Sequence, residues 1–561
     1  MQHNIRDRIE NKLDKLSLNK QEYQINVIKQ VVEYFLEGNN YIFLLAPTGS
    51  GKSIIAYIVS EVLSDIINED DQYKEYRTQL VSNILIHNNT LLKQYQNMFK
   101  QSIHSALGAD NYRCDILNSS ATYCIKDYIA DKKPELYETC EACNYKQTRD
   151  ILNDSKHLIT NYQYFFISKL FSDILKNRLI TTYDECHEIN NVFSNVYSID
   201  VSRTRIDSVY EEISEEAHRV GSNNILNAEE RINKVDLQNN DYYQNVRLLN
   251  EAYAFAYKHY KNIADSYLKR NNFSNFTNIK KTANKYDNFK CKTSDFLKFD
   301  YQHTLDYKDE GGYIIKPIFI SNMFHLIKNS HFHLFMSATL TPEFLTRTIN
   351  FEKNANIKFI QMKSVFKPQR KQVRFINAYK LNYKKMNDPD IISEISNLCH
   401  SIITEHPQEN GIIQAPSFKV AHEVYEKLSS YMQNSKIKLF EHKRGENFNE
   451  LITQFKQCKS PSLIISPNLF VGVDLPGNES TYQIMIKAPF ASLGDARMQY
   501  IIQNHPVVYQ TEALFKILQG FGRSNRSKDD YSVTYCIDSN IEKVFRKAPR
   551  EIQNQFEIKS F

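Results

Sequence analysis

Short, almost wholly apolar runs punctuate this chain, and between them the apolar residues return every three or four positions. The runs at 41–45, 83–86, 157–160, 179–183 and 332–336 form one series, and those at 411–415, 463–466, 482–486 and 533–537 form a second. Continuous apolar runs of this length are strands buried on both faces, and the 3.6-residue period between them marks crossover helices. The pattern predicts α/β architecture with parallel sheets, in two successive units. It breaks twice in the first. Residues 105–150 have little strand signal and carry four cysteines, and residues 200–300 are long, polar and of helical period. Both are predicted to be insertions.

Composition narrows this only slightly. At 561 residues, 42% hydrophobic and 24% charged, the chain has material for three or four domains of ordinary globular make-up. A net charge of +5 permits a nucleic-acid partner without demanding one. No apolar run approaches the ~18 residues of a membrane span. The opening Met1-Gln2-His3-Asn4 lacks the apolar core of a secretion signal. The expected setting is therefore cytoplasmic, or nuclear in a eukaryote, with no membrane. The nine cysteines are expected to be thiols or ligands rather than disulfides.

Two stretches carry the chemistry. After the run 41–45 comes Thr48-Gly49-Ser50-Gly51-Lys52-Ser53, and a helix begins near Ile54. Glycines there let successive N–H groups turn toward phosphate oxygens, and the helix N-terminus adds partial positive charge. Lys52 is expected to reach the β- and γ-phosphates of a nucleoside triphosphate, and the Ser53 hydroxyl to bind Mg²⁺. Downstream, the run 179–183 leads into Asp184-Glu185-Cys186-His187. Carboxylates at the C-terminal end of a parallel strand sit where such sheets bind ligands. Asp184 is expected to hold Mg²⁺ and Glu185 to activate the attacking water, with His187 linking the site to later segments. In Gln519-Gly520-Phe521-Gly522-Arg523-Ser524-Asn525-Arg526, two arginines three apart share a helix face. They are expected to stabilise charge on the transferring γ-phosphate from the second unit.

Cys114, Cys124, Cys140 and Cys143 are spaced C-x9-C-x15-C-x2-C. Four thiolates hold either Zn²⁺ or a [4Fe–4S] cluster, and spacing alone leaves both open. With few apolar residues, this insertion is expected to lack a core of its own and to rely on metal for folding energy. Lys280, Lys281, Lys285, Lys290 and Lys292, interleaved with Tyr286 and Phe289, form one candidate nucleic-acid surface. Lys367, Arg370, Lys371 and Arg374 form a second.

The order of these segments resembles that of superfamily 2 DNA helicases of the XPD/DinG-like, iron–sulfur group. Tyr23-Gln24 looks like the adenine-reading segment, and His87-Asn88-Asn89-Thr90 with Gln94 like the first strand-contact motif. Asn161-Tyr162, Lys316-Pro317 and Ser337-Ala338-Thr339 resemble the segments that follow in the first motor domain. Ala415-Pro416-Ser417-Phe418, Gly472-Val473-Asp474-Leu475-Pro476-Gly477, Ala488-Pro489-Phe490 and Gln519 to Arg526 resemble those of the second. Val471 stands where the family usually has Glu, and Cys186 where Ala is common.

The resemblance implies two RecA-like P-loop motor domains, with a four-cysteine cluster insertion and a helical arch-like insertion in the first. The expected division is 1–104, 151–199 and 311–350 for the first motor domain, 105–150 for the cluster, 200–310 for the arch, and 351–561 for the second motor domain. The nucleotide site implied is Tyr23, Gln24, Thr48, Gly49, Ser50, Gly51, Lys52, Ser53, Asp184, Glu185, His187, Asp474, Gln519, Arg523 and Arg526. The cofactors implied are ATP, Mg²⁺ and [4Fe–4S] on the four cysteines, zinc being the alternative. The activity implied is ATP-dependent unwinding by a monomeric motor moving 5′→3′ on single-stranded DNA at single-strand/duplex junctions. A non-unwinding translocase and a zinc-stabilised RNA helicase are the competing readings.

Overall fold

The computed structural model describes residues 4–560 except 48, 88, 172–174, 239–240, 300, 322–329, 340, 342–343, 345–346, 350, 352–354, 364–366, 471–474, 476 and 523–529. Every apolar run named above lies in a strand, and the strands form two seven-stranded, all-parallel sheets. The first is ordered Ile357–Gln361, Tyr41–Leu45, Ser330–Ser337, Arg178–Asp184, Ser82–Ile86, His157–Asn161, His104–Ala106. Period two divides its side chains between two cores. Tyr41 and Phe43 face an aromatic side, where Phe43 stacks on Phe335 at 4.7 Å and Tyr183 on Phe335 at 4.3 Å. Ile42 and Leu44 face an aliphatic side with Leu334 and Met336.

The second sheet is ordered Lys438–Glu441, Ser462–Ser466, Gly411–Gln414, Tyr482–Met485, Ser532–Asp538, Lys371–Tyr379, Glu557–Ser560. Five strands of the two sheets escape the apolar pattern. His104–Ala106, Ile357–Gln361, Lys438–Glu441 and Glu557–Ser560 are the sheet edges, and Lys371–Tyr379 lies next to one. An edge strand is only half covered, so it carries charge and loses the continuous apolar signature. The expected division needs the same correction. Strand Ile357–Gln361 pairs with Tyr41–Leu45, so the first sheet continues past residue 350. Likewise His104–Ala106 pairs with His157–Asn161, so the first break begins after residue 106.

The polar second break folds as helices Arg203–Val220, Asn223–Asn233, Tyr242–Lys269 and Phe273–Phe299. The last two form a long hairpin rooted on a small antiparallel sheet of Ile199–Ser202, Gly312–Pro317 and His303–Tyr307. The cysteine segment does have an apolar core, contrary to expectation, but a shared one. Leu117, Ile125 and Ile129 pack with Ala264 and Phe276 near the hairpin turn. The few apolar residues of the cysteine segment are thus covered by the end of the hairpin.

The two sheets are joined by helices Ala496–Asn504 and Pro506–Phe521. Their Met498, Ile501, Val508 and Phe515 enter the aromatic core of the first unit. Lys316 Nζ meets Asp495 Oδ2 at 2.7 Å, and buried Arg497 donates through Nε to the Ile318 carbonyl at 2.9 Å.

Candidate nucleotide site and cysteine cavity

Parallel pairing puts the ends of Tyr41–Leu45, Ser330–Ser337 and Arg178–Asp184 on one edge of the first sheet, side by side. Residue 337 therefore lies between the Gly-rich loop and the acidic pair. The loop turns on Gly49 and Gly51, both left-handed at φ 76° and 81°. A Cβ on Gly51 would lie 2.1 Å from Gln24 Nε2, which donates to the Ser50 carbonyl at 2.9 Å. Gln24, on helix Glu22–Leu36, thus lies across the loop, with Tyr23 half-buried beside it. Ser50 Oγ and Gln24 Oε1 are buried with no hydrogen-bond partner. Buried polar atoms seldom stay unpaired, which suits a place that takes a polar ligand. Thr48 lies outside the described residues.

Lys52 and Ser53 open helix Lys52–Glu69. Lys52 Nζ pairs with Glu185 Oε1 at 2.9 Å. Asp184 ends its strand fully buried, and burial raises its carboxyl to about 6 despite the opposing charge of Lys52. Glu185 takes a left-handed backbone, φ 53°, that turns the chain out of the strand. A non-glycine residue held there stores local strain, a common property of functional positions. Tyr95, wholly buried on helix Asn89–Phe99, donates to Asp184 Oδ2 at 3.2 Å. Tyr162 donates to the Asp184 carbonyl at 2.9 Å. Neither tyrosine was expected from sequence as part of the site. Each belongs to a helix after a different strand, and no local spacing connects it to Asp184.

His187 spans the two units. Its Nδ1 is 2.8 Å from Ser337 Oγ, and its Nε2 is 2.8 Å from Gln519 Nε2 on helix Pro506–Phe521. Burial lowers its pKa, so it is neutral at pH 7. The Gln519 amide donates to Nε2, which places the ring proton on Nδ1 toward Ser337. Phe515 closes on the ring edge-on at 5.2 Å. The structure thus brings together Tyr23, Gln24, Gly49 to Ser53, Asp184, Glu185, His187 and Gln519. Asp474, Arg523 and Arg526 lie outside the described residues, as does Val471.

Cys114, Cys124, Cys140 and Cys143 line one cavity with Ile125, Tyr145 and Lys146. Buried Cys140 feels the charge of the other three thiols, and buried Cys114 that of Cys124 and Cys143; burial raises both pKa values. The backbone of Leu117 and Ile116 favours the Cys114 thiolate in part against that burial. Among the described residues, no three His, Cys, Asp or Glu side chains converge closely enough to hold a single metal ion. Cys186, Cys399 and Cys536 are buried in the cores, in keeping with structural roles.

Both candidate basic surfaces need correction. Tyr286 is wholly buried and stacks on Tyr260 at 5.6 Å, and Arg205 covers Phe289 at 4.1 Å, so these aromatics hold the hairpin together. Lys285 pairs with Glu212, Lys290 pairs with Asp287, and Lys292 is largely buried. In the second run, Lys371 is buried in its strand and Arg374 lies over the Tyr535 ring at 5.3 Å. The 3.6-residue helix period was met by core aromatics, which residue type alone does not distinguish from stacking platforms.

Among the described residues, no helix is long and apolar enough to cross a membrane. Two family models match the chain. That of the helicase C-terminal domain covers residues 399–556, and that of the type III restriction enzyme, res subunit, covers residues 17–283. No curated protein matches. Among solved structures, an XPD helicase is 14% identical with a TM-score of 0.61, over 97% of this chain and 100% of its own. Xpd4 of S. tokodaii is 14% identical with a TM-score of 0.58, over 96% of this chain and 100% of its own. With a helicase C-terminal domain in its second half, a type III restriction enzyme res-subunit domain in its first, the fold of XPD helicases and a nucleotide site assembled between the two units, the chain is an ATP-hydrolysing enzyme of helicase type.

Proposed function

We propose that the chain is an ATP-dependent DNA helicase that moves 5′→3′ along single-stranded DNA and opens duplex at a junction. The observation that carries this is the convergence of both units on one nucleotide site, through Gln519 on His187. Lys52 pairs with Glu185. A triphosphate in the loop draws Lys52 to its β- and γ-phosphates and releases the Glu185 carboxylate to take a proton from the attacking water. Mg²⁺, when bound at Ser53 and Asp184, neutralises charge on the phosphate oxygens. Arg523 and Arg526 supply charge from the second unit. Hydrolysis then loosens the hold between the units, and His187 and Ser337 transmit that change to the first sheet.

Single-stranded DNA is assigned to the cavity between the first sheet's helices and the hairpin, lined by polar His87, Gln163, Asn195 and Asn288 together with apolar Ile167 and Val192. The amides and the imidazole suit hydrogen bonding to a strand's backbone without reading its sequence. The four cysteines would hold a [4Fe–4S] cluster with a structural role, stapling their segment to the hairpin turn. The four thiols share one cavity, and the resemblance to the iron–sulfur group favours the cluster over zinc.

The test is strand displacement by anaerobically purified protein with ATP and Mg²⁺, on duplexes with a 5′ or a 3′ tail. Unwinding with the 5′ DNA tail alone is expected, with Lys52→Ala and Glu185→Gln inactive. DNA-stimulated hydrolysis without displacement would make the chain a translocase. Preference for RNA together with bound zinc would make it an RNA helicase.

A further inference from the structure

Two fully buried glutamines stand in the middle of the second sheet, on strands that are otherwise apolar. Gln414 ends Gly411–Gln414, and Gln483 lies in Tyr482–Met485. Gln483 pairs with Ile412 on one side and Thr534 on the other, and Gln414 pairs with Met485, so Gln414, Gln483, Met485 and Thr534 share one face. Helix Pro506–Phe521 covers that face through Ile517, Leu518 and Phe521. Gln414 Nε2 donates to Gln483 Oε1 at 3.0 Å and to the Gly520 carbonyl at 3.4 Å. Gln483 Nε2 donates to the Thr534 hydroxyl at 2.6 Å and to the Phe521 carbonyl at 3.3 Å. Building on the nucleotide-site reading above, we propose that Gln414 and Gln483 are positioning residues: they fix the last turn of that helix on the second sheet and so set the reach of Gln519 to His187.

Each amide has two N–H groups, and all four are spent. Exchanging oxygen and nitrogen in either side chain would set its oxygen against a backbone carbonyl, so the order of the bonds is fixed. The carbonyls of a helix's last turn have no partner within the helix. Here the Gly522 N–H serves Leu518 and Gly520, and the sheet's glutamines serve Gly520 and Phe521. Glycine at 520 admits this approach, since a Cβ there would lie 2.6 Å from Met485 Cε and 2.8 Å from Gln414 Oε1. Gln519 directly precedes these anchored residues, and its amide meets His187 Nε2 at 2.8 Å. An amide that reaches from one unit to the other gains from a rigid base, because a hydrogen bond weakens steeply with misalignment.

Gln483→Leu keeps an apolar side chain in the sheet and removes the donor to Phe521 and the acceptor of Gln414. The kcat for ATP hydrolysis with saturating single-stranded DNA is expected to fall about five-fold, the scale of one buried hydrogen bond, with KM for ATP unchanged. In the Gln519→Met background the same change is expected to cost less than about two-fold more, because the contact it positions is already gone. A merely structural amide would lower the melting temperature and leave kcat intact, or would lower kcat by one factor in both backgrounds, and either result would overturn the proposal. So would full kcat in Gln519→Met beside a loss in Gln483→Leu. Lys52→Ala separates the two levels: undiminished hydrolysis in that variant sinks the nucleotide site itself, whereas lost hydrolysis beside a silent Gln483→Leu sinks only the positioning. Should Gln483→Leu not fold, Gln414→Met keeps the length of the side chain and loses both of its donors. It must lower kcat with KM unchanged, and an unaltered kcat would overturn the proposal.

Discussion

Replacing Gln519 by Met tests whether the two units communicate through His187. The side chain keeps its length and flexibility but loses the amide that donates to His187 Nε2 at 2.8 Å. His187 is 4% exposed, so no water readily replaces that donor. An acceptor left unsatisfied in such a place costs about 1–3 kcal/mol, or roughly 5- to 150-fold in rate if all of it were felt in the transition state. Only the part of that cost that is felt as the units close on the transition state reaches kcat. The expected loss is accordingly about ten-fold in nucleic-acid-stimulated kcat, with KM for ATP little changed. Steady-state ATP hydrolysis with saturating single-stranded DNA measures this. A folded Gln519→Met protein with wild-type kcat would show that the bridge is a packing contact and that coupling runs elsewhere.

Gly51→Ala forces a Cβ into a left-handed residue and against Gln24. Strain and the lost Gln24 bond together cost about 2–3 kcal/mol, so ADP affinity by fluorescence titration is expected to fall roughly 30- to 150-fold. Glu61 is a buried hub that accepts from Lys12 at 2.7 Å and contacts His157 at 2.7 Å and Lys156. Glu61→Gln leaves Lys12 its contact with Asp65 at 2.8 Å and Lys156 half-exposed, so the expected cost in urea unfolding is about 1–2 kcal/mol. An unchanged midpoint would reduce the hub to a surface pair. His157 and His187 both have pKa values lowered by burial. The unfolded chain therefore takes up their protons in the ordinary histidine range while the folded chain does not, so these two histidines lower stability as pH drops through that range, against the opposite contribution of Asp184, raised to about 6. Replacing His157 by Gln is expected to make the melting temperature less acid-sensitive than that of the wild type between about pH 7.5 and pH 5.5, and an identical profile would contradict this.

Much of the fold was readable because a strand buried on both faces has no choice but to be apolar. Tyr41–Leu45 and Gly411–Gln414 carry that signature whatever the rest of the chain does. The edges were not readable, since Ile357–Gln361 and Lys438–Glu441 satisfy one face only and their residues serve solvent as well. The loop Gly49 to Ser53 was legible because its conformation depends on glycine within a few residues, and the acidic pair because it follows directly on a buried strand.

What the sequence by itself determined, then, is everything whose physics is local: strand, loop, helix start and the chemical types at the site. Tertiary structure decided the rest. Only the crossover that slips Ser330–Ser337 between Tyr41–Leu45 and Arg178–Asp184 puts Ser337 beside His187. Only the packing of a neighbouring crossover helix brings Tyr95 beneath Asp184. Tyr286 and Phe289 make the same point in reverse. Their spacing fits a stacking surface and a hairpin core equally well, and burial against Tyr260 and Tyr253 settled it, because an exposed ring and a covered one differ in their neighbours, not in their own residue type.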